Sequence, residues 1–433
     1  MALSNAMKLL FLLVVFTITT TLAMQIASSS DSDEVTPGRN ISSSEGERSL
    51  MQRMLRGKHH KRSQKGRHIH QGKKKRRGGR RQALPRSLRR PRFAGEKQPV
   101  GNVAAVVAQD GSGNFPNIKA ALDASLKRGG DGRYVIHIKS GVYAEHVVVT
   151  AAMKNIMFTG DGMGRTIITG SLSKGETGGT AESATVRVIV LKIKNKLAFD
   201  IAVIMGDGFV ARDITFRNTA GPQKEQAPAV TSIAPHSAFF RCGFEGYQDT
   251  IVAHKGQQFY KECDIYGTVD FICGGATAIF QNCNLRLRRS PRRTITIAAS
   301  FRETPNSPAG FVFHNCRVTA EPDLSQVIGT HEIYLGRPWK PFARTIFIQN
   351  DFDVPIQPEG WLSWEERGEG TDANKVYYRE YGNRGIGSST EGRVKWRGYR
   401  VMDSNEASQF TVANLIQGQT WLPSTGVPFD AGL

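Results

Sequence analysis

Six stretches of the chain repeat one hydrophobic scheme: an apolar pair, two polar residues, then an apolar strand. They read FVARDITFRN, AFFRCGFEG, FYKECDIYG, IFQNCNLRL, FVFHNCRV and IFIQNDF. Aligned on that scheme, Arg212, Cys242, Cys263, Cys283, Cys316 and Asn350 correspond, with steps of 30, 21, 20, 33 and 34. A step near 20 with occasional excesses of about ten residues is what a solenoid with loops inserted on one side requires. Parallel strands about 4.8 Å apart then stack like positions into ladders. An antiparallel sandwich explains the alternation of apolar and polar residues. It does not explain a step held at 20 to 22 across unlike turns, so the pattern predicts an all-β chain coiled as a parallel β-helix.

The flanks of the repeat fit that picture. Val103–Val107 reads as a strand, followed by a Gly-Ser turn and then Ile118, Ala121 and Leu122 at helical spacing. Short strands broken by Gly, Asp and Asn follow, in YVIHI, GVYAEHVVV, NIMFTG and TIITG. No further long helical pattern occurs until the C-terminal helical and loop segments.

Charge divides the chain rather than characterising it. Of 58 Lys and Arg, 19 lie in residues 48–95 with no Asp or Glu among them, which leaves 39 basic against 38 acidic residues elsewhere. Such a run repels itself and buries no apolar area, so residues 28–98 are expected to be a disordered basic pro-segment or tail. KKKRRGGRR invites a nuclear address, a hold on an acidic polymer, a segment removed by proteases, or a solvated tail without a role. Residues 1–27 favour the extracellular readings. A lysine, a short apolar run from Leu9 to Phe16, and small residues near Ala23 and Ala27 have the layout of a cleaved secretory signal, and the run is too short to span a bilayer. A nucleic acid is therefore not an expected partner, nor is a membrane after signal removal. Asn40-Ile41-Ser42 is the one glycosylation sequon in the tail. Five cysteines without CxxC spacing point to a column of small buried side chains rather than a metal site, with a disulfide between rungs left open.

The candidate chemistry sits on the repeat. Gln226 and Gln248 are 22 residues apart and Asp249 and Asp270 are 21 apart, so each pair falls on adjacent rungs. Two carboxylates about 5 Å apart do not both ionise freely, and one of them is held protonated. That supplies an acid and a carboxylate for nucleophilic attack with acid assistance, with two amides at hand for a developing oxyanion. Spacing alone equally allows a ladder of Asp residues that only satisfies backbone groups.

GVYAE (141–145), QAPAV (226–230), GYQDT (246–250), DFICG (270–274) and LGRPW (335–339) resemble, in order, the five signature segments of plant pectin methylesterases. The resemblance covers roughly residues 99–433 and implies a right-handed parallel β-helix catalytic domain, a secreted cell-wall location and no metal or cofactor. It implies that Asp270 attacks the methyl ester of a galacturonate unit in homogalacturonan. Asp249 would protonate the departing methanol and then activate water. Gln248 and Gln226 would hold the oxyanion, and Arg337, about three rungs of sequence later, would pair with Asp270 and touch substrate. Trp339 would stack on a sugar ring, and Thr180 matches a substrate-contacting threonine. Tyr143 and Glu145 are expected to be structural. The family also implies a proteinaceous pectinesterase inhibitor as a partner, and the enzyme is expected as a monomer whose basic tail binds acidic pectin.

The chain departs from the family in four places. RVIVLKIKNKLAFDIAVIM after Val186 is expected to leave the stack as a loop. Pro228 and Thr231 alter the QAPAV segment, Cys273 replaces a phenylalanine, and TIAASFR replaces TAQGR. The N-terminal hundred residues do not resemble the inhibitor-like pro-domain of many members. A non-catalytic pectin-binding protein on the same scaffold is the alternative function; a lyase or glycosidase would call for different acidic clusters.

Overall fold

The computed structural model describes residues 102–178, 180, 183–189, 206–364 and 373–433. The expected signal, the basic tail with Asn40, and residues 190–205 of the expected loop lie outside these residues. Among the described residues every strand pairing is parallel, and the strands form three long sheets of eleven, nine and seven strands, here A, B and C. The chain visits them in turn. His236–Phe240 lies in A, Gly243–Glu245 in B and Ile251–Ala253 in C, after which Gln257–Lys261 returns to A beside the first strand. This is the right-handed parallel β-helix that the repeat predicts.

The register reproduces the sequence steps. In sheet A, His236 faces Gln257, Gln257 faces Thr277, Thr277 faces Gly310 and Phe311 faces Thr345, which are steps of 21, 20, 33 and 34. One alignment is corrected. Arg212 faces Phe240, not Cys242. Ile214, just before the Thr215 that faces Gly243, holds the column position instead. From Asp213 onward the bend from A to B is two residues long, a left-handed residue followed by an inward-pointing one, and that geometry rather than side-chain polarity sets the alignment. Asp213, Arg241, Glu262, Asn282, Asn315 and Gln349 take the left-handed place with φ between 50° and 58°.

The inward place carries the expected cysteine column. Cys242, Cys263, Cys283 and Cys316 are fully buried free thiols. Those of Cys263, Cys283 and Cys316 donate to the carbonyls of Phe239, Tyr260 and Phe280 on the preceding rung. Beside the column an aromatic ladder runs up the core. Phe239, Tyr260, Phe280, Phe313 and Phe347 stack in sequence with ring centroids 4.4–5.0 Å apart. This matches the strand spacing, so each ring buries both faces against its neighbours.

Both flanks seal the coil. The helix Ile118–Ser125 is capped by Asn117, and its free N–H groups at Ile118 and Lys119 donate to the Glu145 carboxylate. Tyr143 is buried and donates its hydroxyl to the Lys139 carbonyl. GVYAE is therefore a structural motif, as expected. At the other end, Met402, Ala407, Phe410, Val412, Ile416 and Leu422 of the C-terminal helical segment lie along the outer face of sheet A. The expected departure after Val186 is corrected in part: Val186–Ile189 stays in the stack as a strand of sheet C between Val147–Thr150 and Val230–Ser232.

Candidate active site

Sheet C and the bends leading into it hold the polar residues singled out in the sequence. Asp249 and Asp270 each end a bend from B to C, with φ of 59° and 50°. A left-handed backbone costs a non-glycine residue about 1–2 kcal/mol, and strain of this kind often marks a working site. Local packing enforces it. A Cβ on Gly267 would lie 2.0 Å from Phe271 Cβ, so glycine is required for the chain to turn into Asp270. The Asp249 N–H donates to the Val269 carbonyl, which sets the two aspartates on adjacent rungs. Gln226 and Gln248 are bridge partners on adjacent rungs as well.

The two carboxylates have unlike surroundings. Asp270 is 4% exposed. Arg337 Nε donates to its Oδ1 and Oδ2 at 3.0 and 3.1 Å, and Nη2 donates to Oδ2 at 2.7 Å. Thr296 lies one rung beyond Asp270. Its Oγ1 accepts from the Asp270 N–H at 2.8 Å and donates to Oδ1 at 2.6 Å. Asp249 has no guanidinium of its own. Partly exposed at the surface yet densely surrounded by protein, its carboxyl is pushed well above the usual range, first by burial and then by the Asp270 charge. Arg337, Lys174 and the Cys273 thiol act against that shift. The thiol itself is driven upward by burial and by both aspartates, so it stays protonated and hydrogen-bonds Asp249.

Arg337 arrives from a strand of sheet C only two rungs from that of Asp270, through the register Cys273–Ala299–Arg337. The expected three rungs are reduced to two because loops in the intervening turns absorb the extra residues. A Cβ at Gly336 would meet the Ala298 carbonyl oxygen at 2.5 Å, and this close approach of the two strands carries Arg337 over Asp270. Above the guanidinium lies Trp364, 4.2 Å away. Val252, Cys273 and Ala299 make a small apolar floor against which Trp339 and Trp364 pack. Trp339 meets Phe301 edge-on at 5.0 Å. A cavity of about 250 Å³ adjoins Arg337, lined by Val269, Arg292, Thr294, Thr296, Leu362 and Ser363.

The structure thus brings together Gln226, Gln248, Asp249, Asp270, Arg337 and Trp339. Thr180 makes a backbone contact with Ser183 Oγ, and none of its described contacts reaches the aspartates. Pro228 sits in the turn before the Val230–Ser232 strand, where its carbonyl accepts from Thr185 and Asn218 and no N–H is needed. Thr296 and Trp364 were not singled out from the sequence. The column position of Thr296 over Asp270 is a signal that strand alignment would have given, whereas nothing local marks Trp364.

The profile of the pectinesterase family matches residues 104–419. The chain belongs to the pectinesterase family. Pectinesterase 2 of Citrus sinensis is 52% identical over 337 residues, covering 77% of this chain and 61% of that protein. The probable pectinesterase/pectinesterase inhibitor 17 of Arabidopsis thaliana is 49% identical over 331 residues, covering 76% and 60%. The chain therefore spans about three fifths of the length of these curated relatives. Among solved structures, the pectin methylesterase from carrot superposes with a TM-score of 0.71 at 41% identity, over 78% of this chain and all of that one. The Aspergillus niger pectin methylesterase gives 0.59 at 27% identity, over 75% and 98%.

Proposed function

We propose that this pectinesterase-family chain hydrolyses the methyl esters of homogalacturonan, giving pectate and methanol, by a two-aspartate mechanism. The observation that carries the reading is the asymmetry of the pair, since one carboxylate is ion-paired by Arg337 and its neighbour is driven toward the acid form. Asp270 attacks the ester carbonyl carbon, and the amides of Gln248 and Gln226 donate to the oxyanion that forms. The tetrahedral intermediate collapses with its C–O bond to the methoxy group breaking, and the proton of Asp249 goes to that oxygen as methanol leaves. The acyl group remains on Asp270 as an anhydride. Asp249, now a carboxylate, takes a proton from water, whose oxygen attacks the acyl carbon and returns Asp270 free.

Arg337 pairs with Asp270 and aims it through bonds to both oxygens, a geometry that a lysine does not supply. Trp339, beside the apolar floor, offers an indole face to a sugar ring, and Thr180 is assigned a substrate contact from its motif. A polymer of the cell wall as substrate accords with the signal-like N-terminus, and we assign the protein to the extracellular space. Regulation by a proteinaceous inhibitor, and adhesion of the basic tail to acidic pectin, belong to the same reading. Methanol release from methylated pectin is the test, comparing wild type with Asp270→Asn. Release must collapse in the variant; undiminished release overturns the mechanism.

A further inference from the structure

Phe240, Lys261, Gln281, His314 and Ile348 form one column at the ends of successive sheet A strands. A lysine, an amide and an imidazole therefore stack rung on rung between two apolar residues. All three are buried, and buried polar groups need partners. Asp430 of the C-terminal segment provides them. Lys261 Nζ donates to Asp430 Oδ2 at 2.6 Å and to Gln281 Oε1 at 3.0 Å. Gln281 Oε1 also accepts from the Asp430 N–H at 2.9 Å, and Gln281 Nε2 donates to the Asp430 carbonyl at 2.9 Å. Gln281 Nε2 also meets His314 Nδ1 at 3.2 Å, and His314 Nε2 meets Gln349 Oε1 at 3.2 Å.

These bonds admit one protonation state of the ring. Gln281 cannot turn over, because its oxygen holds both Lys261 and the Asp430 N–H. Its Nε2 therefore donates to Nδ1, so the neutral imidazole carries its proton on Nε2 and gives it to Gln349. A second proton, on Nδ1, sets N–H against N–H and leaves a buried donor without a partner. We propose that Gln281, His314 and Asp430 form a pH-operated clasp, holding residues 427–433 on sheet A while His314 is neutral and releasing them once it is protonated. The clasped residues belong to the apolar cover of that sheet. Val427 and Phe429 join the cluster of Phe259, Ile279 and Val312, and the Ala413 N–H donates to the Ala431 carbonyl. Burial pushes His314 below its usual value and the Lys261 charge adds to this, while the Gln349 bond and the Asp430 charge oppose it. Arg384 faces the ring across a cavity of about 540 Å³, also lined by Asn282, Asn315 and Asp430, which gives the proton a route in. The Lys261 bond holds Asp430 below the carboxylate range. Both depressed values have the same sign. Stability present at neutral pH is lost as pH falls below about 6.5 for His314 and below about 4 for Asp430. The clasp does not depend on the function proposed above.

Amide hydrogen exchange of the whole chain, read by mass spectrometry and corrected for the intrinsic effect of pH, tests the clasp. In wild type, opening of peptides covering residues 422–433 rises about tenfold from pH 7 to pH 5. Peptides over Ile251–Ala253 stay unchanged. His314→Gln keeps an acceptor for Gln281 and a donor for Gln349 but takes up no proton, so the rise disappears. Asp430→Asn weakens the bond from Lys261 and raises opening about fivefold at both pH values, with the pH dependence of His314 left in place. A wild type without the rise, or a His314→Gln variant that keeps it, overturns the proposal. If His314→Gln does not fold, the nitrogen-15 signals of the wild-type imidazole decide. A neutral ring with its proton on Nε2 at pH 7 supports the clasp, and the Nδ1 tautomer or a charged ring overturns it.

Discussion

The bend from sheet A to sheet B and the bend from sheet B to sheet C use the same backbone device for different ends. At the first, a left-handed residue recurs rung after rung, and its side chain is absorbed by its neighbours. Arg241 pairs with Asp213, and Asn315 donates to Asn282. From Asp213 to Gln349 the bend keeps two residues, and the cysteine column fills its inner corner. At the second, the left-handed places at Asp249 and Asp270 hold like charges one rung apart. Loops such as 288–293 and 321–331 enlarge that side of the coil. One edge spends its polar groups on structure, and the other sets an ion-paired carboxylate beside one driven toward its acid form, next to a cleft.

Substitutions at matched positions separate the two edges. Asp270→Asn removes the nucleophile and is expected to lower kcat by about 10⁴-fold or more, read by methanol release. Asp249→Asn removes the acid and is expected to cost about 10²- to 10⁴-fold. It also carries a pH signature in stability. The folded-state pKa of Asp249 is raised, so the wild type is favoured while the group is protonated in both states. That advantage is lost as pH rises from about 4 through the folded value. Urea denaturation should therefore find Asp249→Asn more stable than wild type near neutral pH, with the gap closing toward pH 4. A gap that stays constant with pH would contradict the burial of this carboxylate.

Arg337→Met strands the Asp270 carboxylate in the interior and is expected to destabilise by about 3–5 kcal/mol, again by urea denaturation, besides suppressing activity. The smallest effect belongs to the other edge. Glu262→Gly relieves the left-handed strain at φ 54° but adds chain entropy, so the net change stays within about 1 kcal/mol, with methanol release unaffected. If Glu262→Gly crippled activity as Asp249→Asn does, the division between the two edges would not hold.

Much of this was legible before any coordinates. The steps between Cys242, Cys263, Cys283, Cys316 and Asn350 are the registers of sheet A, because a parallel coil must advance by one strand spacing per turn and like residues then stack. The adjacency of Asp249 and Asp270, and of Gln226 and Gln248, followed from the same arithmetic. Arg212 was misaligned because polarity does not mark a bend defined by backbone conformation. Val186–Ile189 looked like the start of an insertion, yet its backbone pairs with the strands Val147–Thr150 and Val230–Ser232.

By itself the sequence determined the coil, its period and the identity of the charged groups, since these depend on residue types recurring at a fixed interval. The tertiary structure alone decided which aspartate is ion-paired. Residues 270, 296 and 337 meet only because loops of unequal length are looped out between strands of one sheet, and loop length carries no information about what it brings together. The same holds for Trp364 over Arg337 and for the Cys273 thiol against Asp249. Electrostatic roles depend on burial and on neighbours within a few ångströms, and both are properties of the folded packing.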